Sequence, residues 1–114
     1  MIDETFQTEL QDFVQGPPQG WSHDDWLRFL YQLSEAGVDT VDEDAIGLAL
    51  ERERLKQTLA RLNVKGLGPR RIETVVDHFK TLWNLQDASW ETVGEIRTIP
   101  RAMAQEIVDR VRRL

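Results

Sequence analysis

The chain has 114 residues, 40% hydrophobic and 30% charged, with a formal net charge of −6. That length allows one compact domain or two small helical units, in the composition range of soluble globular proteins. It holds no cysteine, which excludes disulfides and thiolate metal sites, and no apolar run approaches the roughly 20 residues a membrane span needs.

The opening stretch, MIDETFQTEL, is acidic and unlike a secretory signal; the absence of cysteine fits a reducing cytoplasm, and the acidic balance is bacterial-like, so a cytoplasmic protein is expected. Phe6, Leu10, Phe13 and Val14 recur at helical spacing and predict a first amphipathic helix. GPPQG at 16–20 breaks it. Ser22 then offers an N-cap, with Asp25 three residues on, for a helix whose stripe is Trp26, Phe29, Leu30 and Leu33 and whose end is Gly37. Asp39, Asp42 and Asp44 lack the spacing of a calcium loop and read as caps, Asp42 or Thr40 serving the next helix. That helix is long, from about Glu43 to Asn63, with Leu48, Leu55, Leu59 and Leu62 expected inside. No strand-like alternation is present. The expected fold is all-α, five to seven helices: an acidic helical region over 1–50 and a basic region over 51–114.

The division follows the charge. Residues 1–50 carry one base against eleven acids, net −10, and residues 51–114 carry thirteen bases against nine acids, net +4. Such a split suits two jobs, or one half restraining the other.

At the centre of the basic half stands NVKGLGPRRIETVVDHF, Asn63 to Phe79. Gly66 and Gly68 permit positive φ and close backbone approach. Pro69 fits the first position of a new helix. Ile72, Val75, Val76 and Phe79 share one face of that helix, so its first turn is held against a core. Free amides there, with the positive end of the helix dipole, make an anion site, and Lys65, Arg70 and Arg71 surround it with charge.

These residues resemble the first hairpin of a tandem helix-hairpin-helix domain, as found in NAD-dependent DNA ligases, excision-nuclease subunits and competence DNA-binding proteins. The resemblance runs through HFKTLWNLQDAS as connector into WETVGEIRTIPRAMAQEIVDRV as a second unit, roughly Leu55 to Val111. It implies that hairpin amides hold DNA phosphates across the minor groove without reading bases. Carried over by position, the contacts are the amides of Gly66, Gly68 and Arg70, about Leu67, with Lys65 and Arg71 adding charge. A monovalent cation at the carbonyls of Leu62, Val64 and Leu67 is a weaker implication, and no other cofactor is expected. The second hairpin departs from the family pattern: TIPRAMAQEI passes from Pro100 straight to Arg101, as if about three turn residues were missing. That half-site is expected to be degenerate, with Arg101, Gln105 and Arg112 on one face of the last helix as secondary contacts.

His23 and His78 lack partners at metal-ligand spacing. Ser22, His23 and Asp24 are consecutive, unlike a hydrolytic triad. With no nucleotide-binding fingerprint either, no catalytic constellation is present and no enzyme is expected. Trp21, Trp26, Trp83 and Trp90 are expected in the core. Two functions stay open: a DNA-binding module for duplex or branched DNA, or a scaffold that keeps the hairpin fold and binds another protein, or itself. In either case the acidic half is available to a protein partner, and no membrane is involved.

Overall fold

Local hydrogen bonds set the helix starts. The computed structural model describes residues 4–15 and 21–114; the predicted break at 16–20 lies outside them. Helix α1 spans Glu4–Val14. Before α2, His23–Glu35, the Ser22 hydroxyl accepts the Asp25 amide at 3.1 Å and the Asp25 carboxylate accepts the Ser22 amide at 3.0 Å. This reciprocal pair satisfies two orphan donors of the first turn. Gly37, at φ +85°, ends the helix, and the amides of Gly37 and Val38 return to the carbonyls of Ser34 and Leu33. Asp42 accepts the Ala45 amide at 3.1 Å and opens α3, Glu43–Leu62. Then follow α4 (Pro69–Phe79), α5 (Leu82–Asp87), α6 (Trp90–Gly94) and α7 (Arg101–Arg112). The described residues are all-helical, and among them no helix is long and apolar enough to cross a membrane.

The Ser22 amide, then its hydroxyl, then more weakly Arg28 hold the Asp25 carboxyl below the usual carboxylate range, against a small desolvation effect. A depressed folded pKa contributes stability above the unfolded value, about 3.9, that is lost as pH falls through the folded one. Wild type and Asp25→Asn should therefore differ in urea stability near neutral pH and converge in acid. A gap unchanged with pH would refute the linkage.

The chain divides into two units, Met1–Glu53 and Arg54–Leu114, the division falling inside α3. In the first, Phe6, Leu10 and Val14 of α1 are buried with Phe29 and Leu33 of α2 and with Ile46 and Leu50 of α3. The Phe29 ring lies 4.5 Å from that of Phe13, centroid to centroid. Glu53 is buried too, and its carboxylate accepts the Gln7 side-chain amide at 3.2 Å. Leu48, expected inside, is instead exposed. The inward stripe here runs through Ile46 and Leu50, four apart, and a residue midway between them points to the opposite side.

In the second unit one cluster takes Leu55 and Leu59 of α3, Ile72, Val75, Val76 and Phe79 of α4, and Ala104, Ile107, Val108 and Val111 of α7. Leu82 and Leu85 of α5 and Val93 of α6 complete it. Trp90 packs against this cluster, whereas Trp83, expected in the core, is 65% exposed. On the short α5, Leu82 and Leu85 occupy the inner face, three apart, and the residue after Leu82 turns outward.

Candidate nucleic-acid interface

The first turn is built by two aliphatic anchors. Val64 is buried and Leu67 half-buried, and the Leu67 amide donates to the Val64 carbonyl at 3.0 Å. Asn63, at φ 54°, closes α3 in the left-handed region that asparagine tolerates. Gly66 is also left-handed, at φ +85°. Gly68 is not: at φ −87° and ψ −178° it is ordinary extended backbone, and its amide donates to the Gly66 carbonyl at 3.1 Å. Gly68 was expected to need glycine's freedom and to offer a free amide; the turn closes on itself there instead. Pro69 opens α4 and Gly68 supplies no side-chain cap. The first-turn amides of Arg70 and Arg71 thus have no intrahelical acceptor.

The second turn is not shortened. Ile99 donates to the Ile96 carbonyl at 3.0 Å, as Leu67 does to Val64, and Ala104 to Pro100 at 2.9 Å, as Ile72 does to Gly68 at 3.0 Å. The two turns therefore share one register, 32 positions apart. Val64-Lys65-Gly66-Leu67-Gly68 corresponds to Ile96-Arg97-Thr98-Ile99-Pro100. The expectation of missing residues fails because buried aliphatics, rather than glycines, hold this register. Two differences remain. Thr98 is not left-handed, since Asn63 and Lys80 are the described non-glycine residues with positive φ. Pro100 has no amide to donate. The second turn so offers fewer backbone donors.

The turns also meet. Arg71 donates through Nε to the Thr98 carbonyl and through Nη1 to the Gly66 carbonyl, each at 2.8 Å. A Cβ on Gly66 would stand 2.9 Å from Cε of Met103. By the shared register, Met103 is the counterpart of Arg71, and Thr98 of Gly66. Each helix thus sends its third residue onto the other hairpin's turn.

Several expected contacts are spoken for. The Leu62 carbonyl accepts from Arg110 Nη1, and the Val64 carbonyl from Leu67, so two of the three oxygens named for a monovalent cation already have donors. Arg110 also pairs with Glu106 at 2.8 Å. Arg112 donates to the carbonyls of Gln86 and Ala88, at 3.4 and 2.9 Å, tying α7 to the end of α5. Arg101 stacks over the Trp90 ring, 4.9 Å from its centroid, and Gln105 is exposed. At the two turns, Lys65, Arg70 and Arg97 are exposed with no ion pair or side-chain hydrogen bond, as are Lys56 on α3 and Lys80 after α4. Arg97 escaped the sequence reading. It holds in the second turn the place of Lys65 in the first.

A DNA ligase is similar to this chain. The ligase of Oenococcus oeni (strain ATCC BAA-331 / PSU-1) is 31% identical over 87 residues, which take in 68% of this chain and 13% of the ligase. The chain thus corresponds to a small part of that relative. The matched stretch is longer than the second unit, so it runs into the first. No protein-family model matches the chain, and no solved structure matches it.

Proposed function

We propose that residues 54–114 form a tandem helix-hairpin-helix unit and that the chain is a non-catalytic, sequence-independent DNA-binding module. One observation carries this reading: two turns in one hydrogen-bond register, joined to each other, with exposed unpaired cations at matching positions, Lys65 and Arg97. Similarity to a DNA ligase supports a DNA-associated role. The module holds duplex or branched DNA by its phosphates, through the first-turn amides of α4 and the side chains of Lys65, Arg70 and Arg97. A grip on the phosphate backbone alone makes affinity modest, salt-dependent and indifferent to sequence.

The test is fluorescence anisotropy of a labelled mixed-sequence duplex, at low and physiological salt. Wild type should bind and weaken steeply with salt. Gly66→Ala should destabilise the protein by about 1–2 kcal/mol, the usual cost of a left-handed alanine, and weaken binding. Met103 must also move to admit the new Cβ. Gly68→Ala meets nothing within 4 Å at an unstrained φ and should behave as wild type. No binding by the wild type at low salt would end the DNA reading.

A second reading rests on Leu27 and Tyr31, one helical turn apart on α2 and 50% and 66% exposed. An apolar pair on an acidic helix suits a protein partner. Loss of a partner's binding on Leu27→Ser, with DNA binding intact, would favour it.

A further inference from the structure

We infer that Arg71 is a positioning residue, a staple between the two hairpin turns, and that its charge is not among those that hold phosphate. The inference deepens the DNA-binding reading and rests on it for its functional consequence; the staple itself stands on geometry alone. Arg71 is the third residue of α4, and its half-buried guanidinium turns back along the turn instead of outward. Nε reaches the Thr98 carbonyl and Nη1 the Gly66 carbonyl, both at 2.8 Å. A planar fork with fixed donor directions can hold two carbonyls at once; an ammonium on a flexible stem holds them without that fixed spacing. Met103 occupies the matching place in α7 and lies against Gly66, filling with an apolar contact what Arg71 does with hydrogen bonds.

Two consequences follow from those two bonds. First, they engage one carbonyl of each turn with a single guanidinium, so its donors are spent on the link between the turns. Second, they keep the two phosphate sites at one spacing. Two weak sites held at a fixed spacing bind a duplex together far better than either alone, and a hinge between them loses that gain. Arg70, one position earlier, is exposed and without a partner, and is the arginine of this pair that faces a phosphate.

The experiment has two arms. In the first, duplex binding is measured across salt for the wild type, Arg71→Met, which copies the counterpart residue, and Arg71→Lys, which keeps the charge. Both variants should lose about tenfold or more in affinity. Both should keep the wild-type slope of log K against log salt. A slope shallower by about 0.9 in Arg71→Met, with Arg71→Lys restoring wild-type affinity, is the signature of a lost phosphate contact and overturns the inference. The second arm needs neither DNA nor a variant. In proton-exchange NMR of the wild type, the Arg71 Nε–H should exchange several-fold more slowly than that of Arg70. An Arg71 Nε–H exchanging as fast as that of Arg70 removes the staple whether or not the protein binds DNA. If the slow exchange is present and the wild type binds no duplex, the functional reading fails and the staple stands.

Discussion

Replacing Lys65, Arg70 and Arg97 together by alanine is expected to remove most salt-sensitive duplex binding while leaving the fold intact. All three are exposed and carry no ion pair or side-chain hydrogen bond, so their loss should change stability little. Each phosphate neutralised on duplex DNA contributes about 0.9 to the slope of log K against log salt. Three lost contacts make that slope shallower by about 2.7. Over a roughly fourfold rise in salt, the wild type should then lose about 40-fold more affinity than the triple variant. Arg113→Ala is the control: that guanidinium is paired with Asp109 at 3.2 Å, and its removal should leave the slope alone. A triple variant with the wild-type slope would mean that the cations holding DNA, if any, lie elsewhere. The single variant Arg97→Ala matters most within the set, because it asks whether the second turn takes part.

Phe29→Ala should be the most damaging single substitution in the first unit, costing about 3–5 kcal/mol. Phe29 is fully buried among α1, α2 and α3 residues, and its ring meets those of Phe13 and Trp26 at 4.5 and 6.3 Å. Whole domains are stable by only about 5–15 kcal/mol, and a unit of this size sits low in that range. The variant should therefore leave the first unit largely unfolded under mild conditions. Phe29→Leu keeps most of the volume and should cost less than half as much. Urea unfolding followed by tryptophan fluorescence suits the comparison, because Trp21 and Trp26 lie partly buried against this core. A Phe29→Ala midpoint close to that of the wild type would show that this ring does not hold the unit together.

Helices were legible in this sequence wherever caps and apolar spacing agreed. Ser22 with Asp25, Gly37, Asp42 and the stripe Ile72, Val75, Val76, Phe79 each mark an element the structure contains. The inward face of α3 was less so, since its leucines recur often enough to suggest several stripes, and burial picks Ile46 and Leu50 over Leu48. The first turn was legible from its glycines, although only Gly66 uses a conformation that glycine favours. The second was misread because glycine was taken as the mark of the turn. Its true mark is aliphatic: Ile96, Ile99 and Ala104, 32 positions after Val64, Leu67 and Ile72. Laid over one another at that offset, the two segments would have placed Arg97 beside Lys65 without any coordinates. The role of Arg71 was beyond such a comparison. A charged residue next to a glycine turn looks the same whether it faces solvent or folds back onto a carbonyl from 27 residues away.

Both oxygens that Arg71 holds belong to the main chain. A carbonyl is present whatever side chain its residue bears, so position 98 is free to drift without breaking the link, and threonine stands there at no cost to it. Position 71 has no such latitude, because no other side chain offers the same fork. Mutational tolerance around the two turns should accordingly be lopsided, wide at residue 98 and narrow at residue 71. A saturation library scored for duplex binding at these two positions would make that asymmetry visible.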